Sequence, residues 1–452
     1  MTEWLPKLKD ASGPVYIAIV DALASDIRTG RISPGTQLMP QRDLANHLNL
    51  SVGTVTKAYA EAERRGLIVG EVGRGTFVRS RYESPNDGAT RRINLTLNVP
   101  PLTGAEAVLK GAFTELANRN HLAKLLDYLP HQGVYEHRTK IANWLSSTLL
   151  ECAPQNLFIT SGAQHAAWLA LTAVAREGDT IVAEQYPYSG LSALAELQHY
   201  RLAGVELDDE GAIPESLDHV LAETGAKIVY LTPTFQTATG AAMGESRRKQ
   251  IAKLLRKHDA YLIEDDVYGF LLAKARTPIS RHAPERSFYL TSYAKMVAPT
   301  LRTGSVVVPE KFHSRAITAL RAGSWMTSPL LAAVLVHLID TGGLDEQIES
   351  KRIRAAQLSR QVRGALRPLV FPETNGFHYW LPMPESYDVS DFIAQASARG
   401  INIAASPSLP VNQRTKPGVR LCVGGIDNDD DLANALQEIS QLVSRREIIS
   451  VF

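Results

Sequence analysis

Phe288-Tyr289-Leu290-Thr291-Ser292-Tyr293-Ala294-Lys295-Met296-Val297-Ala298-Pro299-Thr300-Leu301-Arg302-Thr303-Gly304 decides how this chain is read. An apolar, strand-like run leads into a lysine, and an arginine follows shortly after. That is the setting expected of a lysine held as a Schiff base with an aldehyde cofactor. A lone lysine is more often a surface residue, so its neighbours in sequence matter.

Working outward, short β-branched runs alternate with helical patterns from about Ile93 onward. Leu157-Phe158-Ile159-Thr160 precedes a helical pattern from Ala163 to Arg176, and Thr180-Ile181-Val182-Ala183 precedes another. Lys227 to Leu231, Tyr261 to Ile263 and Ser305 to Val308 continue the series. This alternation predicts an α/β body with a mostly parallel sheet covered by helices. After about Leu344 a long charged helix leads into a smaller α+β segment. Two further stretches have the chemistry of a cofactor pocket. Ser161-Gly162-Ala163-Gln164 lies between a strand and a helix, where backbone N–H groups and the positive helix end suit a phosphate. Glu264-Asp265-Asp266-Val267-Tyr268 ends an apolar strand, where a carboxylate can keep a pyridine nitrogen protonated. The plainer alternative there is an acid capping the next helix.

The composition is that of a soluble globular chain. It has 452 residues, 44% apolar and 21% charged, enough for about three domains. A formal charge of +1 provides no global attraction to nucleic acid. Two cysteines, Cys152 and Cys422, exclude a disulfide framework. His131, His137, His165 and His378 lack metal-ligand spacing, so no metal is expected and these histidines are assigned ordinary packing or surface roles. No signal segment opens the chain and no apolar run suits a membrane span, so a reducing bacterial cytoplasm is expected.

The amino-terminal region has its own pattern. Residues 14–30 read as an amphipathic helix, a short second helix surrounds Asp43 to Leu48, and Ser51 caps a third running to about Arg65. Leu67 to Val78 reads as a glycine-tipped hairpin. Helix, turn, helix and wing are the parts of a winged helix-turn-helix. Its third helix would present Ser51, Val52, Gly53, Thr54, Thr56 and Lys57 to a major groove, with Arg42 on a phosphate and Arg74 at the wing tip. By pattern alone, a generic three-helix interaction module fits equally well. Within residues 1–80, ten Lys and Arg face eight Asp and Glu, so placement rather than net charge must carry DNA binding. The resulting boundaries are 1–79 for the head, 80–92 for a polar linker, 93–343 for a large segment and 344–452 for a small one.

Gly30-Arg31-Ile32-Ser33-Pro34-Gly35 through Arg42-Asp43-Leu44-Ala45, Leu50-Ser51-Val52-Gly53-Thr54-Val55-Thr56-Lys57-Ala58-Tyr59 and Gly73-Arg74-Gly75-Thr76-Phe77-Val78 resemble the GntR-type head of bacterial regulators. A basic residue is usual there where Val52 stands. The body resembles the fold-type I pyridoxal-phosphate enzymes of the aspartate aminotransferase group, with a large and a small domain. That resemblance implies roles for residues of this chain. Lys295 forms the Schiff base; Asp265 pairs with the pyridine nitrogen; Tyr268 bonds the phenolic oxygen. Ala163, Gln164, Ser292 and Arg302 hold phosphate, Tyr188 stacks on the ring, and Arg420 grips an α-carboxylate. Tyr128 would reach the partner subunit's phosphate, since these sites form across a homodimer. Two departures stand out. Thr237, in Gln236-Thr237-Ala238-Thr239-Gly240, replaces the asparagine that bonds the phenolic oxygen, and Ala294 replaces a serine phosphate ligand. Each lost charge-assisted bond costs roughly 1.5–3 kcal/mol.

Head, linker and body in this order resemble the MocR-type regulators. The function implied is a DNA-binding transcriptional regulator that senses pyridoxal 5'-phosphate, or an amino acid or amine, through aldimine chemistry. The alternatives are a working aminotransferase of 2-aminoadipate or aromatic type with an accessory head, and a DNA-binding protein whose body is only a dimerisation scaffold.

Overall fold

The computed structural model describes residues 4–6, 14–28, 31–32, 36–65, 67–71, 75–78, 92–118, 122–366, 375–383, 388–405, 409 and 417–447. They divide into two compact units, Met1–Arg92 and Ile93–Phe452. Among the described residues no helix is long and apolar enough to cross a membrane.

In the first unit, helices Val15–Arg28, Gln41–Leu48 and Val52–Arg64 pack with a three-stranded antiparallel sheet. Ile19, Val20 and Leu23 recur at helical spacing and meet Leu44, Val55 and Tyr59 in one buried core. Asp26 ties the entry to this core, accepting from Trp4 Nε1 at 2.9 Å and from Arg31 Nη2 at 2.7 Å. Asn49, left-handed at φ 50°, ends the second helix, and Ser51 starts the third by accepting from the Thr54 backbone N at 3.2 Å. That cap is worth about 1 kcal/mol. The hairpin of Ile68–Glu71 and Gly75–Val78 forms, and a two-residue strand, Gln37–Leu38, joins its outer edge. Two residues carry no readable period, so this strand leaves no local signal. The wing tip with Arg74, and linker residues 80–91, lie outside the described residues.

The second unit is built on a seven-stranded sheet in the order Leu157–Thr160, Gly304–Val307, Ser287–Ser292, Tyr261–Asp265, Ile228–Leu231, Thr180–Glu184 and Arg201–Val205. All neighbours are parallel except Gly304–Val307, which runs antiparallel to both of its partners. The central strands are buried on both faces, so they read as continuous apolar runs rather than as alternation. Pairing of Ser292 with Gly304, and of Gly304 with Thr160, brings the ends of three strands to one edge. Gly304 is required there. A Cβ on it would lie 2.8 Å from Thr291 O and 2.9 Å from Gly162 C, both backbone atoms.

The small segment holds the chain's entry to the body. Ile93–Asn94 pairs in parallel with Ile401–Asn402, and Leu95 accepts from the Cys422 backbone N at 2.9 Å. Strands His378–Pro382, Gly418–Cys422 and Ala404–Ala405 form the adjoining sheet. Helix Gly343–Ala365 contributes Lys351, whose Nζ donates to Pro101 O at 2.9 Å and Val297 O at 3.1 Å. A buried amine thus clamps the strap around residues 97–101 to the segment that carries Lys295.

Gly304→Ala should lower the urea midpoint of the full chain by an amount equivalent to roughly 1–3 kcal/mol, the usual cost of overpacking. An unchanged midpoint would show that the strand can retreat from Gly162 without cost.

Candidate functional site

The carboxyl ends of the parallel strands open onto one crevice, the place where open α/β sheets put their ligands. At its first wall, strand Leu157–Thr160 turns at Gly162, φ 86°, into helix Ala163–Val174. Arg302 sits beneath this turn, left-handed at φ 42° and ψ 34°, and its Nη2 donates to Ser161 O at 2.9 Å. A left-handed arginine costs roughly 1–2 kcal/mol, a strain that clusters at functional sites. A Cβ at position 162 would meet its guanidinium at 3.1 Å. Backbone N–H groups, a helix start and a guanidinium therefore converge. Gln164 belongs to this wall, donating to Gly190 O at 3.2 Å while its buried Oε1 has no partner. Tyr188 lies half-buried beside it, and Ser292 is buried at the end of its strand.

The opposite wall carries the acids. Three consecutive carboxylates leave strand Tyr261–Asp265 with different tasks. Glu264 accepts from the backbone N of Ile279 at 2.9 Å and of Ser280 at 2.7 Å, and so caps the helix Ile279–His282. Asp266 accepts from Tyr289 OH at 2.8 Å. Asp265 accepts from Tyr230 OH at 2.6 Å through Oδ2, and its buried Oδ1 has no partner. Burial, reinforced by the charge of Asp266, lifts its carboxyl to about 6. The open oxygen suits a protonated ring nitrogen, which would restore a charged partner and lower that value.

Lys295 Nζ donates to Asn98 O at 2.5 Å and lies 5.4 Å from the centre of the Tyr268 ring. Burial pulls its ammonium down to about 8, with Asp265 and Cys422 opposing the fall. Tyr268 OH donates to Asn98, at 2.9 Å to Oδ1 and 3.1 Å to the backbone O. Arg420 donates through Nη1 to Thr237 O at 2.9 Å and through Nη2 to Thr96 O at 3.3 Å. Thr237 is engaged through its main chain. Its N donates to Thr232 Oγ1 at 3.4 Å, and its carbonyl receives Arg420. Ala294 is buried and offers no polar group. Tyr128 stands apart from all of these, 78% exposed, edge-on to Trp325 at 5.7 Å.

Two residues of the crevice escaped the sequence reading. Asn98 touches both Lys295 and Tyr268, and His378 holds Asn98, with Nδ1 accepting from Asn98 Nδ2 at 3.0 Å. His378, read from sequence as ordinary packing, is fixed on its other side by Gln236 O, 2.9 Å from Nε2. The missed signal was position rather than motif. Asn98 follows an entry strand whose pairing with the small segment no local pattern reveals.

On the head, Ser51, Val52, Gly53, Thr56, Lys57 and Arg42 are exposed on one surface, and Thr54 is half-buried behind Ser51. Thr56 Oγ1 donates to Gln41 Oε1 at 2.9 Å, which links the second and third helices across that surface. Gly53 has no packing reason to be glycine, since a Cβ there would meet only Ser51 Oγ at 3.9 Å.

Residues 90–439 match the model of the aminotransferase class I and II family, and residues 15–78 match that of the gntR family of bacterial regulatory proteins. This chain belongs to the aminotransferase class I and II family. In front of that body it has a GntR-type head, which is the layout of MocR-type regulators. It is 27% identical to the HTH-type transcriptional regulator YdeF of Bacillus subtilis, over 97% of this chain and 96% of the relative. It is 24% identical to the HTH-type pyridoxine biosynthesis transcriptional regulator PdxR of Corynebacterium glutamicum, over 92% of this chain and 93% of the relative. Among solved structures, the kynurenine aminotransferase of Pyrococcus horikoshii superposes with a TM-score of 0.72 at 24% identity, over 79% of this chain and 92% of that one.

Deeper in the aminotransferase-like body, Glu184 accepts from the Thr232 hydroxyl, from Thr232 N at 3.2 Å and from Gln236 Nε2 at 3.3 Å, while its Oε1 has no partner. Burial raises its carboxyl to about 7 despite these bonds. A carboxyl raised on folding stabilises the fold below its unfolded value, and that contribution is lost as pH climbs through the folded value. Here the window runs from about 4.5 to about 7. Glu184→Gln should therefore raise the melting temperature of the cofactor-free protein more at pH 8 than at pH 5. An equal effect at both values would contradict a raised Glu184.

Proposed function

We propose that this chain is a homodimeric, DNA-binding transcriptional regulator whose aminotransferase-like body holds pyridoxal 5'-phosphate on Lys295 and reads a small amine or amino acid. The observation that carries this reading is the open Oδ1 of buried Asp265 in the same crevice as a half-buried lysine, in a chain that also has a winged head. Bound there, the cofactor supplies an aldehyde that condenses with amines and a ring that draws electrons when its nitrogen is protonated.

The chain's own residues do the rest. With an ammonium near 8, Lys295 has a far larger neutral, nucleophilic fraction at neutral pH than an exposed lysine. Asp265 Oδ1 accepts the ring N–H, and Tyr230 holds the carboxylate in place. Arg302, Ser292 and the turn into Ala163 and Gln164 receive phosphate, and Tyr188 supports the ring. Arg420 turns from the carbonyls of Thr237 and Thr96 to a ligand carboxylate. Both carbonyls belong to segments that border the crevice, so that exchange offers a route by which a ligand shifts the small segment. The exposed aromatic pair Tyr128 and Trp325 suits burial against a second copy, where Tyr128 would reach the other phosphate.

On the head, Ser51, Gly53, Thr54 and Thr56 would approach base edges, Val52 would make apolar contact, and Arg42 and Lys57 would neutralise phosphates. Arg74 is assigned to the wing from sequence alone. A turnover aminotransferase remains the second reading, because Asp265, Tyr268, Lys295 and Arg420 are all gathered at one crevice. Against it, Thr237 has no side-chain amide to offer there, and its main chain is taken by Thr232 and Arg420.

Borohydride reduction of the cofactor-loaded protein should fix the cofactor's mass on the peptide containing Lys295, and Lys295→Ala should abolish the adduct. A labelled peptide elsewhere, or none, would contradict the site. With amino acids and a keto-acid acceptor, the sensor reading expects a single conversion; sustained turnover would favour the enzyme. Lys57→Ala should weaken binding to all DNA sequences and lower the slope of log affinity against log salt by about 1. An unchanged slope would remove Lys57 from the phosphate contact.

A further inference from the structure

Asn98 is held so firmly that its amide has only one orientation. His378 Nε2 faces Gln236 O, which can only accept, so Nε2 carries the ring proton. Burial keeps His378 neutral, down to about 4, which leaves Nδ1 as an acceptor. Asn98 Nδ2, 3.0 Å away, must then be the donor, and Oδ1 is turned toward Tyr268. Asn98 cannot offer Tyr268 a proton without breaking the bond to His378. It can only take one.

A phenol has one proton to give. Here it is directed to Asn98, at 2.9 Å to Oδ1 and 3.1 Å to the backbone O. Burial holds the Tyr268 hydroxyl well above its ordinary value, so it remains a donor throughout the working pH range. The cofactor's phenolic oxygen is the other acceptor for that proton, and Thr237 presents no side-chain amide to it. We propose that Asn98 is a positioning residue that draws the Tyr268 proton away from the phenolic oxygen, so that the Lys295 nitrogen, once joined to the cofactor, keeps its own proton to higher pH. This rests on the reading that Lys295 holds pyridoxal phosphate. The physical link is local: a phenolic oxygen with fewer donors carries more negative charge and binds the neighbouring nitrogen's proton more tightly. Cys422, Asp265, Arg420 and Arg302 also act on Lys295, and Arg420 and Lys295 act on His378. All of these are common to the variants below and cancel in the comparison.

The test is the pH midpoint of the visible absorbance band of the full-length, cofactor-loaded protein. Asn98→Ala removes the Oδ1 acceptor and leaves only the backbone carbonyl at 3.1 Å, so it should release the Tyr268 proton in part and lower the midpoint by roughly half a pH unit, part of the worth of one hydrogen bond. In a Tyr268→Phe background the same change should have no effect. Asn98→Leu, close in size and with neither donor nor acceptor, should give the same drop, and it keeps the proposal falsifiable if the alanine variant does not fold. An equal shift with and without the Tyr268 hydroxyl, or no shift in either Asn98 variant, would overturn the role of Asn98. No visible band in the unaltered, loaded protein would overturn the cofactor reading itself, and this inference with it.

Discussion

A carboxylate and an amine brought out of water in the same crevice, Asp265 and Lys295, are the constraint on which the rest of the body depends. Neither group is comfortable there. Burial raises the carboxyl to about 6 and pulls the ammonium down to about 8, so each has moved toward its neutral form. Tyr230 satisfies one carboxylate oxygen and the carbonyl of Asn98 satisfies the amine, but Asp265 Oδ1 is left open. A fold that needed only stability would fill such a site with apolar side chains. The surrounding architecture keeps it instead. A strand pairing requires glycine at 304, an arginine is held left-handed at 302, and Lys351 fastens the strap before the crevice.

Much of this was legible in the chain itself, because the main elements carry strong local signals. The central strands are buried on both faces and therefore read as unbroken apolar runs. Ser51 announced the third helix by its cap, and it starts at Val52. What stayed hidden acts over long separations or through the main chain. Asn98 and His378 meet across 280 residues, and the amine of Lys295 binds a carbonyl, which every residue possesses. Lys351 is likewise engaged only by carbonyls, so nothing in the composition of its helix marks it. The acids Glu264, Asp265 and Asp266 could be placed at a strand end, but only geometry distinguishes the helix cap, Glu264, from Asp265 and Asp266, each of which keeps one buried oxygen without a partner.

The head follows a different logic. Its core is small and conventional, and its exposed face carries a glycine at 53 that packing does not require. With a net charge of +1 on the whole chain, affinity for DNA must come from the placement of charges on the head rather than from a general basic field. A ligand acts on the head only to the extent that it binds the body's alternative arrangements with different affinity.

The central claim, that chemistry at Lys295 governs the head, is tested most directly by one titration. Affinity for a DNA fragment selected by the unaltered protein is measured with and without pyridoxal phosphate, for the unaltered chain and for Lys295→Ala. The account expects the cofactor to change the affinity or footprint of the unaltered chain and to leave Lys295→Ala unmoved. Identical binding by all four preparations would contradict it.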